Sequence, residues 1–281
     1  MKHASKLATI SLAVLGGAVL LTGCKASKCI GPDGGEVDNC VTLEPLKRYN
    51  GTPETKSAAW TAGKNVTINN GNGSITVNTA STTSDVVVTG APFAMEAAND
   101  QGRQSAISIM QNQLQLVVQP DASGNIGVTG NGTGNHGYEM TVSLPSAFNG
   151  ALAVTGNSGS VSVATVPTSP STVVSTSAGD ITVSGAAGHL EITGKASDIT
   201  ASANPTGPAN FIKTDVGDIT ATIPATADLA IQAVCESGTV KLAPSMTNAT
   251  MAPDNMSAGI TLGNGTGKLD VQSGMGDIIF Q

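Results

Sequence analysis

Apolar and polar side chains alternate at every second position through most of the chain beyond residue 65. Val66-Thr67-Ile68, Ser74-Ile75-Thr76-Val77, Asp85-Val86-Val87-Val88, Ala106-Ile107-Ser108-Ile109 and Leu114-Gln115-Leu116-Val117-Val118 all read this way. Turn residues separate them, as in Asn69 to Gly73, Asp121 to Gly124 and Gly130 to Gly137. A period of two filled with Val, Ile and Thr predicts β-strands. The longest run, Tyr138 to Leu144, puts Tyr138, Met140, Val142 and Leu144 on one face and ends at Pro145, with Ala151 to Val154 following. No stretch keeps a helical period with caps, and Ala94 to Ala98 predicts one helical turn at most.

From residue 158 the strands repeat. Gly159-Ser160-Val161-Ser162-Val163, Gly179-Asp180-Ile181-Thr182-Val183, Ser197-Asp198-Ile199-Thr200-Ala201, Gly217-Asp218-Ile219-Thr220-Ala221, Gly238-Thr239-Val240-Lys241-Leu242 and Gly276-Asp277-Ile278-Ile279-Phe280 share one pattern. Their first residues lie 20, 18, 20, 21 and 38 positions apart. The last gap spans two repeats, with Gly259-Ile260-Thr261-Leu262 as a degenerate copy. A fixed period near 20 is a solenoid signature. A second strand falls inside each period, as at His189 to Thr193 and Ala227 to Ile231, so each coil has at least two faces. Stacking places Ile181, Ile199 and Ile219 inside, roughly 4.8 Å apart. Thr182, Thr200 and Thr220 then form an outward ladder. Gly159, Gly179, Gly217, Gly238 and Gly276 mark the corners, where glycine adopts a positive φ at little cost.

Composition supports narrow layers. Aromatic residues are 2% of the chain while Gly numbers 34, so the core must be built from Val, Ile, Leu and Ala between many tight turns. The expected fold is all-β, a β-solenoid or β-helix-like stack of coils of about 20 residues, less regular in its N-terminal part. That part reads either as a sandwich-like entry or as continuous rungs with long insertions; a single continuous β domain over 65–281 is the preferred reading. Trp60 is expected to cover the open first rung. The last rung, Ile278 to Gln281, is expected to lack a cap, which leaves its edge open to lateral association.

The first residues carry a different message. Lys2, His3 and Lys6 form a basic start, and Leu7 to Leu20 is an apolar run too short to span a membrane. Leu21-Thr22-Gly23-Cys24 resembles the bacterial lipobox. That resemblance implies a signal peptide over 1–23 and acyl chains, palmitate among them, on Cys24. Two or more chains anchor a protein stably without a spanning helix. Lys25 in place of Asp implies the outer membrane, by the sorting logic of Gram-negative lipoproteins. Residues 24–64, with Pro45, Lys47, Arg48, Asn50-Gly51 and Pro53, read as a tether. Cys29 and Cys40 bracket a small loop, and in an exported protein a disulfide is the expected reading, with a metal site as its rival. Cys235 lies in an apolar run and reads as a buried, inert thiol.

Gly-Asp-Ile segments about 20 residues apart, downstream of a lipobox, resemble the bacterial "putative adhesin" families of exported β-strand-repeat proteins. The resemblance covers Ser158 to Gln281 well and Asn65 to Val154 loosely, and it implies a location and a fold more than a chemistry. Removing 1–23 takes away Lys2 and Lys6, so the net charge of −7 becomes −9, which argues against nucleic acid as a partner. The enzymatic alternative is a polysaccharide-active β-helix using stacked Asp180, Asp198 and Asp218; the structural alternative makes each Asp a backbone acceptor at its corner, a series broken at Thr239. His136 and His189 are isolated in sequence. Two tyrosines and one tryptophan make a poor sugar platform. The calcium-binding nonapeptide is absent, and no metal or other cofactor is expected. A flat Thr182, Thr200 and Thr220 face suits ice or a regular polymer. The reading is a non-catalytic adhesive or envelope-structural module. It is exported and held at a membrane by lipid, and its partners are an envelope or extracellular polymer or another copy of itself.

Overall fold

A computed structural model describes residues 44–80, 84–164, 166 and 168–281. Cys24, Cys29 and Cys40, with the signal and lipobox readings, lie outside the described residues.

The strands begin earlier than residue 65. β1 (Leu46–Asn50) and β2 (Glu54–Ala59) occupy the end of the expected tether and are paired in a sheet. β3 (Val66–Asn70) and β4 (Ile75–Ala80) form the first coil in sequence. Then come the long β5 (Asp85–Ala97), helix α1 (Asp100–Asn112), β6 (Leu116–Pro120), β7 (Ile126–Gly130) and β8 (His136–Pro145). Regular coils follow: β9 (Leu152–Ser158) with β10 (Val161–Ala164), then β11 (Ser171–Ala178) leading into β12 (Ile181–Ala196). β13 (Ile199–Pro205), β14 (Asn210–Val216) and β15 (Ile219–Thr222) continue them. The last group is β16 (Leu229–Ser237), β17 (Val240–Lys241), β18 (Ala249–Met251), β19 (Ser257–Leu262), β20 (Gly267–Met275) and β21 (Ile278–Phe280).

Two faces result, each largely parallel. The first runs β5-β8-β4-β10-β12-β13-β15-β21-β17. The second runs β6-β7-β3-β9-β11-β12-β14-β20-β16-β19-β18. β12 bends at a register shift between Ser184 and Ala186 and belongs to both. The N-terminal half is therefore the same stack with an antiparallel insertion, as the continuous-domain reading expected.

Inward residues line up in columns. Met140, Ile75, Val161, Ile181, Ile199, Ile219, Ile278 and Val240 are register neighbours on the first face, and all are buried. Val128, Ile68, Val154, Val174, Ile192, Ile212, Val271 and Ala233 do the same on the second. A slip of one residue would turn every such column outward, so burial fixes the register. At the corner a further inward column carries small polar groups. Thr176 donates to the Ala178 carbonyl (3.2 Å), Thr214 to the Ser197 carbonyl (2.9 Å) and Ser273 to the Gly217 carbonyl (3.0 Å). Cys235 is the next member, beside Ser273, and burial pushes its thiol up. The inert reading of Cys235 fits this position.

Several expectations are corrected. Ala106 to Ile109 is part of α1, not a strand: Asn99 caps the helix by accepting from the Gly102 amide (2.8 Å), and the helix buries only Gly102 and Ala106. Gly259 to Leu262 is not a coil but part of β19, which lies antiparallel on β16. The rung ending at Gln281 is not exposed: β21 sits between β15 and β17. The outermost coil is β16–β17, and it is capped. β18 and β19 cover β16, while the Asn255 carbonyl accepts from Val240 and the Met256 carbonyl from Cys235, both at 2.8 Å. Asn255 takes a φ of +58° in the turn that makes this possible.

The other end is closed by β5 and β6, antiparallel on β8 and β7, with β1 and β2 on the far edge of β5. Charged and aromatic side chains fasten it. The Arg48 guanidinium lies 4.1 Å from the Phe93 ring centre and pairs with Glu139 at 2.7 Å. The buried Tyr138 hydroxyl donates to Glu54 (2.9 Å), and Lys56 donates to the Leu116 carbonyl, joining the two faces. Trp60 is not this lid: it packs against Phe148, ring centres 5.4 Å apart, in the connection between β8 and β9.

Candidate functional site

The acidic residues and the outward threonines are neighbours on one corner and one face. The register Ile181↔Ile199↔Ile219↔Ile278 stacks Asp180, Asp198, Asp218 and Asp277 in consecutive coils. The column is thus longer than the sequence spacing indicated, and Thr239 closes it rather than interrupting it.

The chemistry of this column is mainly structural. Asp198 Oδ1 accepts the Asp218 amide and Asp218 Oδ1 accepts the Asp277 amide, each at 2.8 Å. Asp277 Oδ1 takes the Thr239 amide (2.8 Å) and hydroxyl (3.0 Å). The Asp198, Asp218 and Asp277 carboxylates each fasten the next coil, so for Asp198 and Asp218 the acceptor reading holds with a change: the amide belongs to the neighbouring coil, not to the residue's own turn. Lys241 lies 2.6 Å from Asp277 Oδ2, and this pairing with the Thr239 bonds holds the Asp277 carboxyl at about 2. Glycan hydrolysis needs one carboxyl kept protonated as an acid, and Asp277 is shifted the other way. His189 is paired with Glu191 (2.7 Å) in the middle of β12, where that strand enters the second face. Among the described residues no group of three His, Cys, Asp or Glu side chains is placed to hold a metal ion.

A pH dependence follows from Asp277. Its folded carboxyl titrates below its ordinary 3.8, so its stabilising effect is complete above that value and is lost as pH falls toward 2. The urea midpoint of Asp277→Asn is expected to lie below that of the parent at pH 6. The gap should close between pH 4 and pH 2; a gap unchanged at pH 2.5 would contradict this pairing.

The threonine ladder is much longer than three coils. Thr55, Thr89, Thr141, Thr76, Ser162, Thr182, Thr200 and Thr220 are successive register neighbours across the first face. Ile279 and Lys241 end the row. All its hydroxyl residues are exposed or half-exposed, and Thr55 and Thr89 are hydrogen-bonded at 3.2 Å. Thr76 was within reach of sequence reasoning, since Gly73-Ser74-Ile75-Thr76-Val77 copies the coil motif; Thr55, Thr89 and Thr141 were not, because none follows that motif, although Thr141 faces outward on the longest alternating run. The row is uncharged up to Lys241. Beside it, a shallow groove of about 290 Å³ lined by Ala187, Ser202, Asn204, Thr222 and Pro224 among others holds no ionisable side chain.

This two-faced stack with glycine corners has a family match. The family described as Toastrack DUF4097 matches residues 53–280. The chain belongs to the Toastrack family. The match starts within the segment expected to be a tether, in keeping with the place of β2 in this Toastrack sheet. Two solved structures share a weaker likeness. A "putative cell adhesion protein" from Clostridium sporogenes ATCC 15579 is 14% identical, with 82% of this chain and 99% of that chain covered and a TM-score of 0.42. A "putative adhesin" from Bacteroides fragilis NCTC 9343 is 12% identical, with 82% and 97% covered and a TM-score of 0.30. No curated protein matches the chain. No helix among the described residues is long and apolar enough to cross a membrane.

Proposed function

We propose that this Toastrack protein is exported and lipid-anchored through Cys24, at the outer membrane, and that its solenoid is a non-catalytic adhesive or envelope-structural module. The observation that carries the adhesive part is the unbroken hydroxyl row from Thr55 to Thr220. It offers donors and acceptors at the strand repeat, roughly 4.8 Å, to a regular partner such as an envelope or extracellular polymer. Of the acids beside it, Asp198, Asp218 and Asp277 are occupied in holding coils together, which supports a binding role over a hydrolytic one. The anchor rests on Leu21-Thr22-Gly23-Cys24 behind its basic and apolar leader.

Two experiments test this. Protease treatment of intact cells, with Cys24→Ala as the anchoring control, is expected to remove the domain from the parent strain; protection until the outer membrane is opened would mean a periplasmic scaffold instead. Thr182→Gln combined with Thr220→Gln adds bulk without charge at an exposed and a half-exposed position. It is expected to leave the thermal midpoint nearly unchanged, within about 0.5 kcal/mol per site, and to reduce polymer binding at least about tenfold, or roughly 1.4 kcal/mol. Asp180, Asp198 and Asp218 changed together to Asn keep their acceptor oxygens and should bind like the parent. A glycan-cleaving activity lost in that triple variant would instead establish the enzymatic alternative.

A further inference from the structure

At the C-terminal end of the stack, as at the N-terminal end, coil order in space departs from coil order in sequence. Residues 210–222 come first, then 267–280, and residues 229–241 lie outermost. The later segment occupies a slot between two earlier ones, and the two walls of that slot match each other. Across it, the Gly217 and Ile219 amides donate to the Met275 and Asp277 carbonyls, while the Gly276 and Ile278 amides donate to the Ser237 and Thr239 carbonyls. In register, Ser237 stands opposite Met275 and Val240 opposite Ile278. With 267–280 absent, Gly217 and Ile219 therefore find equivalent acceptors in Ser237 and Thr239. Asp218 Oδ1, which takes the Asp277 amide, finds the Thr239 amide in its place.

Chain connectivity favours that direct pairing first. Residues 229–241 are joined to 210–222 by 223–228, whereas 267–280 must close a loop over 223–266, and the shorter loop closes at lower entropic cost. The hairpin β18–β19 is bonded to β16 and travels with the outer coil. The only link from it to β20 is 263–266, which crosses the end of β16 and is clipped by Asp228: its carboxylate accepts the Asn264 and Thr266 amides and the Thr266 hydroxyl. So short a link keeps the insertion within one molecule.

We propose that residues 267–280 are an inserting coil. Residues 229–241 first stack directly on 210–222; residues 267–280 then enter between them and displace the outer coil with its hairpin by one strand spacing, about 4.8 Å. Insertion gives both edges of the new coil a partner and buries Leu269, Val271, Ile278 and Phe280. The domain thereby has two stackings, and it becomes complete only when this segment is available.

Refolding of the full chain from denaturant tests this. Pulsed hydrogen exchange read by mass spectrometry is expected to show protection of 229–237 before 267–275. Simultaneous or reversed protection would overturn the proposal without any mutation. In a background of serine at the four native cysteines, Thr220→Cys with Lys241→Cys places thiols in register in the first stacking. In the final one they are two strand spacings apart, about 9.6 Å, beyond the roughly 7 Å limit for a disulfide. The crosslink is expected when oxidant is present during refolding and not when it is added afterwards, and the trapped chain should expose 267–281 to protease. The pair Thr220→Cys with Ile279→Cys should crosslink in the folded protein. If that control pair forms during refolding and the first pair never does, no direct stacking precedes insertion.

Discussion

Gly179→Val is expected to destabilise the domain by roughly 4 kcal/mol, a large share of the 5–15 kcal/mol typical of a folded domain. Gly179 sits at a corner with φ +113°, where a side chain is strained by itself, at about 1–3 kcal/mol. Position adds to conformation. A Cβ there would lie 2.5 Å from the Gly159 carbonyl carbon and 2.6 Å from its oxygen, both backbone atoms of the next coil. Neither can move without opening the ladder, because the Gly159 amide is bonded to Ala178 and the Gly179 amide to Ala196. Gly207→Val is the matched comparison: its φ is +89° but nothing lies within 4 Å of its Cβ position. It is expected to cost only the conformational part. Urea unfolding of the two variants separates the effects, and equal midpoints would mean that the corner column is not close-packed.

The same column shows what was legible in the sequence. Gly-Asp-Ile is a local signature: the corner needs glycine, the next residue faces out and the one after it faces in, so each coil announces itself within five residues. The order of coils is not local. Every coil offers neighbours the same edge and the same inward isoleucine or valine, so sequence spacing alone cannot say that 267–280 lies inside 229–241 or that 66–80 lies inside 126–145. The helix was hidden for a different reason. Ala106 to Ile109 alternates like a strand, and α1 has almost no apolar face to announce it. Its packing instead depends on Gly102, where a Cβ would stand 2.1 Å from the Ala97 carbonyl oxygen. The acids illustrate a third limit: the stacking of Asp180, Asp198 and Asp218 could be read from the period, but that Asp198 and Asp218 bond the amide of the next coil depends on a distance between coils.

Asn210→Leu is the second large effect, and repeat logic predicts the opposite sign. The inward column at this position reads Leu152, Thr172, Leu190, Asn210, Leu269 and Ile231, so leucine looks like the consensus choice and a gain in buried apolar area. The structure argues otherwise. Asn210 is buried at 2% exposure. Its Oδ1 accepts the Leu190 amide at 2.8 Å, where the ladder between β12 and β14 has not yet begun. Its Nδ2 donates to the Lys268 carbonyl at 2.8 Å, to Gly207 at 3.1 Å and to Thr206 at 3.3 Å. One side chain thus ties together three successive coils and the turn at Gly207. Leucine would leave the Leu190 amide and the Lys268 carbonyl without partners, at about 1–3 kcal/mol each, against a gain of about 1.5–3 kcal/mol from burying the larger apolar side chain. A leucine also lacks room where amide nitrogen and carbonyls stand in hydrogen-bond contact. The expected net is a loss of about 2 kcal/mol, with amide exchange rising at Leu190 and across 267–275. Asn210→Asp tests the donor side alone: it keeps the acceptor for Leu190 and removes both donors, so it should be more damaging at pH 7 than at pH 3.5, where a protonated carboxyl restores one. Stabilisation by leucine would show instead that the side-chain bonds of Asn210 are replaceable by water and that the repeat consensus governs this column.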